Sequence, residues 1–143
     1  MIFSNILVAY DSSKQSRKAL EQAVLIAEQS PDIKLLVLHV YEIPQYIIGE
    51  AIISASVRVE TDLYEHSSKL IGEAQRRIAH LPHASTTLLQ GNTSKVILDK
   101  ADEMNCDVII MGSRGLGGFK ELILGSVSNN VVQHSKIPVL IIK

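Results

Sequence analysis

Four short runs of unbroken apolar residues punctuate the chain: "NILVAYD" (5–11), "KLLVLHVYEI" (34–43), "CDVIIMG" (106–112) and "PVLIIK" (138–143). Their length, their Val, Ile and Leu content and their lack of alternation predict strands buried on both faces of a parallel sheet. A more polar run, "STTLLQG" (85–91), predicts an edge strand. Between the runs the period changes to that of a helix. Leu20, Val24 and Ala27 share one helical face behind Ser12 or Ser13 as N-cap, with Pro31 beyond the end. Leu63, Leu70, Ile71, Ala74 and Ile78 mark a second helix over about 57–79. Val96, Ile97 and Ala101 mark a third over 93–103, and Val127 and Val131 a fourth from Ser126. The order βαβαβαβαβ, with five strands, predicts a single doubly wound, Rossmann-like α/β domain over residues 1–143. Its sheet is parallel, joined by right-handed crossovers and covered by helices on both faces.

Composition narrows the partners. With 143 residues, 46% of them hydrophobic, the chain has the size of one ordinary domain with a real core. A formal net charge of -1 provides no long-range attraction for nucleic acid or anionic lipid, so neither is an expected partner. Cys106 is the only cysteine, which rules out an intrachain disulfide and suits a reducing compartment, the cytoplasm. "MIFSN" lacks the basic and apolar segments of a secretory leader. The Ile-rich "YIIGEAIISASV" is interrupted by Glu50 and falls well short of the roughly 20 apolar residues that a spanning helix needs.

The chemistry concentrates in "MGSRGLGGFKELILGS" (111–126), which holds five of the eight glycines. It runs from the carboxyl end of the fourth expected strand to the start of the fourth helix, and ligands of open α/β sheets bind at such ends. Glycine lets an anion reach backbone N–H groups, and a helix N-terminus adds unpaired donors and a positive dipole end. Arg114, Ser126 and Ser128 add guanidinium and hydroxyl donors, while Asp11 at the end of the first strand offers an acceptor for a ribose hydroxyl. Together these predict a nucleotide site. Neither common phosphate fingerprint is present: there is no GxxxxGK[ST], and Lys120 stands where GxGxxG requires its third glycine.

The spacing that is present, Gly112-x2-Gly115-x9-Gly125-Ser126, resembles the pattern G-x2-G-x9-G-[ST] of ATP-binding universal stress proteins. The resemblance extends along the chain through "ILVAYDSS", "LLVLHV", "CDVIIMGSRGLGG" and "GSVSNNVVQHSKIPVLIIK". It implies strand order 3-2-1-4-5 and a nucleotide-binding set of Ala9, Asp11, Val40, Met111, Gly112, Ser113, Arg114, Gly115, Gly125, Ser126, Val127 and Ser128. In that set Asp11 meets adenine or ribose, Val40 lines the adenine pocket through its backbone, residues 112–115 wrap ribose and phosphates, and residues 125–128 hold phosphates. The implied ligand is ATP, with AMP or ADP as alternatives and Mg2+ carried by the phosphates. Ser12 departs from the glycine that the family often has after the aspartate, which affects the local turn.

Blander readings stand beside these. Asp11 also suits a helix N-cap. "HLPH" (80–83) reads as a surface turn rather than a metal site, His39 as a hydrogen-bonded core histidine and Cys106 as a small buried residue. His66 and His134 sit on helices without an evident partner, and Lys120 belongs on a solvated face. The last strand is an edge that calls for cover, and the resemblance implies a homodimer through residues 138–143. The connection around "QYIIGEAIISASV" folds either as a flap near the adenine or against a partner subunit. The implied function is a dimeric cytoplasmic regulator or sensor of the stress response, with an unidentified protein partner. The alternatives are a slow ATPase or autophosphorylating enzyme, for which Glu121 is the nearest carboxylate, and a nucleotide-independent scaffold; no catalytic residue and no metal ligand is assigned.

Overall fold

A computed structural model describes residues 2–114 and 124–143. The elements in chain order are β1 (Asn5–Ala9), α1 (Lys14–Ala27), β2 (Lys34–Tyr41), β3 (Gln45–Ile48), β4 (Ala51–Ser54), α2 (Val57–Ile78), β5 (Ala84–Gln90), α3 (Thr93–Glu103), β6 (Val108–Gly112), α4 (Ser126–His134) and β7 (Val139–Ile142). Five strands form one sheet in the order β5-β2-β1-β6-β7, with every neighbouring pair parallel. This is the 3-2-1-4-5 topology, and the polar strand β5 lies at an edge as expected.

Side chains alternate across each central strand, which explains why those strands read as continuous apolar runs. Ile6, Val8, Leu35, Val37, Val108 and Ile110 pack on one face beneath Ala19, Leu20 and Ala23 of α1 and Leu70, Ala74 and Ile78 of α2. Leu7, Leu36, Leu38, Ile109 and Met111 point the other way, against Ile97 and Ala101 of α3 and Val131 of α4. Helices therefore seal both faces. Ser13, rather than Asp11, caps α1: its side chain accepts from the Ser16 amide at 3.2 Å. At the opposite end of the sheet, Asp107 Oδ2 accepts from Ser4 N, Ser4 Oγ and Asn5 N, which fastens the start of β1 beside the start of β6.

The connection after β2 carries secondary structure of its own. Residues 45–54 form an antiparallel hairpin, β3–β4, in a sheet of its own. Gly49 occupies the first turn position with φ +62°, a conformation the two-residue hairpin turn favours and glycine adopts at little cost.

Candidate functional site

The winding reverses at β1. From there the chain builds outward to β2 and β5, then returns to the other side of β1 for β6 and β7. The crevice beyond the carboxyl ends of β2, β1 and β6 is thus the topological switch point, the place where such sheets take ligands. Ala9, Asp11, Val40, Met111, Gly112, Ser113 and Arg114 all lie at these strand ends, and Gly125, Ser126, Val127 and Ser128 open α4 beside them. Gly115, Lys120 and Glu121 lie outside the described residues.

Val40 gains its meaning from strand parity. Lys34 N donates to Ser4 O and Leu38 O accepts from Tyr10 N, so the even-numbered residues of β2 turn their peptide groups toward β1. Leu35 N donates to His83 O and Tyr41 O accepts from Gly91 N, so the odd-numbered residues face β5. Pairing with β1 ends at Ala9–Leu38. Val40 therefore presents its N–H and C=O beyond the end of β1, with no hydrogen-bond partner for either among the described residues. Backbone groups of this kind almost always find a partner, so a free pair facing a crevice suits a ligand that offers both an acceptor and a donor. The Tyr10 carbonyl, which would otherwise continue the ladder, accepts instead from His39 Nδ1 at 2.7 Å. Because a carbonyl only accepts, Nδ1 carries the proton.

Asp11 sits between the two walls. Its Oδ1 accepts from Ser13 N at 2.9 Å and its backbone N donates to Ser16 Oγ at 3.3 Å, which fixes the carboxylate at the mouth of the crevice. Oδ2 makes no hydrogen bond among the described residues. Ser12 makes the turn with φ +64°, the left-handed conformation that explains a glycine preference at this position.

On the β6 side, Ser113 organises the entry to α4. Its carbonyl accepts from Gly125 N at 2.7 Å and from Ser128 Oγ at 2.8 Å, and its N–H donates to Ile142 O at 2.8 Å. The buried Ser128 hydroxyl thereby donates within the protein, to the carbonyls of Ser113 and Gly125. What remains at the helix start is the exposed Ser126 side chain and backbone. Gly125, the N-cap residue, makes no side-chain cap, so the N–H groups of Ser126, Val127 and Ser128 are the first donors of a helix, without a hydrogen-bond partner among the described residues.

The glycines differ in purpose. A Cβ on Gly112 would lie 2.7–2.9 Å from Gln15 Cβ, Gln15 C and Ser16 N, so this glycine is demanded by the close approach of α1. At Gly125 a Cβ would find nothing nearer than 3.4 Å among the described residues, and φ is -72°. Packing against the described residues does not require a glycine there, whereas a ligand seated on the helix N-terminus would.

Two of the remaining polar candidates, His80 and His134, have structural partners. His80 Nε2 meets Glu28 Oε1 at 2.8 Å, and His134 Nδ1 meets the Asn130 carbonyl at 2.9 Å. Cys106 is buried, and burial, assisted by Asp107, pushes its thiol up to about 11. Among the described residues no group of three or more His, Cys, Asp or Glu comes together as a metal site, and no helix is long and apolar enough to cross a membrane. A groove of about 740 Å³ between α1 and α2 is lined by Tyr10, Arg17, Glu73 and Arg76 among others.

Comparison with known proteins agrees with this frame. The model of the universal stress protein family matches residues 3–143. A universal stress protein of Thermus aquaticus is 37% identical over 99% of this chain and 100% of its own length. The solved structure of universal stress protein UspA from Lactobacillus plantarum superposes with a TM-score of 0.79 at 25% identity, over 98% of this chain and 97% of that one. A family member from Arabidopsis thaliana, solved with AMP bound, has the same fold with a TM-score of 0.64 at 24% identity, over 98% and 91% of the two chains. With a topology, a switch-point crevice and a full-length match that coincide, the chain belongs to the universal stress protein family.

Proposed function

We propose that the chain is an adenine-nucleotide-binding regulator of the stress response, with ATP as its ligand, working in the cytoplasm as a homodimer. The observation that carries this reading is the pairing of two kinds of unsatisfied backbone across one crevice. Val40 offers a donor and an acceptor side by side, the complement of an adenine edge. The start of α4 offers three N–H groups and a positive dipole end, the complement of phosphate. The two walls belong to β2 and β6, two strand spacings or roughly 10 Å apart, which a nucleotide spans, and Asp11 between them has an oxygen free for a ribose hydroxyl.

In this reading Ala9 and Met111 line the crevice. Gly112, Ser113, Arg114 and Gly115 wrap ribose and phosphates, and Gly125, Ser126, Val127 and Ser128 hold phosphates through backbone N–H groups, with Mg2+ arriving on the phosphates. Solved universal stress proteins in complex with AMP, dAMP and cAMP lend support. The edge strand β7 supplies the dimer seam over residues 138–143, where Leu140 is exposed. Bound nucleotide then serves as a signal: it rigidifies the strand ends and α4, and so alters the surface offered to a protein partner.

Calorimetric titration of nucleotide-stripped protein with Mg-ATP tests the reading, with Gly125→Val in parallel. Extended backbone at Gly125 suits a β-branched residue, so the variant should fold. One saturable site per subunit, lost in the variant at unchanged melting temperature, is expected. No saturable binding of ATP, ADP or AMP to the wild type at millimolar concentration removes the reading.

A further inference from the structure

The ladder between β1 and β2 stops one hydrogen bond short, and a side chain stands where the last bond would be. Tyr10 N still donates to Leu38 O at 2.9 Å, so residue 10 keeps the parallel register that begins with Lys34 N on Ser4 O. The next rung would run from Val40 N to the Tyr10 carbonyl. That carbonyl accepts instead from Nδ1 of His39, the residue just before Val40, at 2.7 Å. We propose that His39 is a positioning residue for the switch-point crevice: by drawing the Tyr10 carbonyl to its imidazole, it withholds that acceptor from Val40 and keeps the Val40 N–H open for a base. Its part in binding rests on the nucleotide reading above; its hold on the peptide group does not.

Strand parity explains how the imidazole reaches this carbonyl. Leu35 and Val37 point to the face covered by α1 and α2, and Leu36, Leu38 and Val40 to the other. His39 therefore shares the first face with Tyr10, a member of the same core cluster, and meets the carbonyl from that side of the sheet rather than along the ladder.

The rest of Tyr10 has little freedom. Its ring is buried, its hydroxyl donates to Glu73 Oε2 of α2 at 3.1 Å, and its N–H is in the ladder. The peptide unit between residues 10 and 11 is held at two ends: the oxygen by His39, and the Asp11 N–H by Ser16 Oγ at the longer distance of 3.3 Å. Removing the imidazole leaves only the longer bond and a carbonyl without its partner. Buried backbone acceptors almost always find a donor, and the register makes the Val40 N–H the next one in line. A base that offers an acceptor and a donor to Val40 then loses one of its two hydrogen bonds.

Nuclear magnetic resonance on the labelled, ligand-free full chain tests this through the scalar coupling across a Val40 N–H to Tyr10 carbonyl hydrogen bond, with calorimetric titration of Mg-ATP beside it. His39→Leu removes the donor and keeps apolar bulk, and His39→Met does the same should the leucine variant fail to fold. His39→Asn sets an amide N–H as many bonds from Cα as Nδ1 and serves as the rescue. The expected result is no such coupling in the wild type or His39→Asn, a coupling in the variants without a donor, and ATP affinity lowered at least tenfold in those variants alone. A looser fold by itself would weaken binding without creating that coupling. A coupling in the wild type, none in the leucine and methionine variants, unchanged ATP affinity where the coupling has formed, or an asparagine variant that behaves as leucine does each overturns the proposal. A wild type that binds no ATP removes the nucleotide reading instead, and the coupling alone then decides whether His39 holds the peptide group open.

Discussion

Gly112 and Gln15 meet so closely that a Cβ on the glycine would lie 2.7 Å from that of the glutamine. The end of β6 and the first turn of α1 touch at a point where a side chain has no room, and the neighbouring atoms include backbone that cannot swing aside. Gly112→Ala should therefore destabilise the fold by about 1–3 kcal/mol through overpacking. Gly125→Ala, with ordinary contact distances and φ of -72°, should cost well under half as much. Urea denaturation of the two variants checks the contrast, and equal losses would show that the α1 contact relaxes.

Ser12 holds a left-handed backbone that an L side chain resists. Ser12→Gly relieves that strain, though it gives the unfolded chain more freedom. A net gain of up to about 1 kcal/mol is expected from the same denaturation experiment. A loss would mean that the serine hydroxyl compensates within the turn.

Ser128 secures the start of α4 by donating to the carbonyls of Ser113 and Gly125. Ser128→Ala should lower stability by about 1 kcal/mol, while Ser126→Ala, two residues earlier and exposed, should leave it unchanged. Thermal melts of both variants suffice. Loss of nucleotide affinity in Ser128→Ala greater than in Ser126→Ala would identify the orientation of α4, rather than a hydroxyl contact, as what the ligand reads.

His39 makes stability depend on pH. Burial lowers its folded-state value, and the hydrogen bond to the Tyr10 carbonyl only partly opposes that. Above the ordinary imidazole value of about 6.5 both folded and unfolded chains hold it neutral, so it contributes no pH dependence. As pH falls below that value the unfolded chain binds the proton first, and stability declines until the pH passes the lower folded value. Chemical denaturation between pH 7.5 and 5 should show this decline, flattened in His39→Gln. An identical slope in the variant would transfer the effect to another group.

Much of the frame was legible in the chain because burial on both faces leaves a continuous apolar run, as in "VIIM" of β6, and because capping marks helix starts, as at Ser13 before α1. The hairpin was not. Tyr46, Ile47 and Ile48 are apolar on both faces, so the two-residue alternation that betrays a half-buried strand never appears. The candidate site was legible as a composition of glycines and serines, whereas its division of labour was not. That Gly112 serves α1 depends on Gln15, almost a hundred residues away, and that Ser128 is committed depends on the position of the Ser113 carbonyl. The open peptide group of Val40 follows from where β1 stops relative to β2, a register that no local pattern encodes.

The central place of β1 also shapes how the chain is made. β1 can pair with β2 once residue 41 has been synthesised, but its other edge belongs to β6 and has no partner until Gly112 appears. At 5–20 residues per second, that interval lasts roughly four to fifteen seconds. Throughout it the nascent chain carries an apolar strand, Ile6 to Val8, with one edge open to the nearest extended segment. Chains interrupted before residue 112 should accordingly aggregate or engage chaperones, and the segment that carries β6 works as an internal lid on β1.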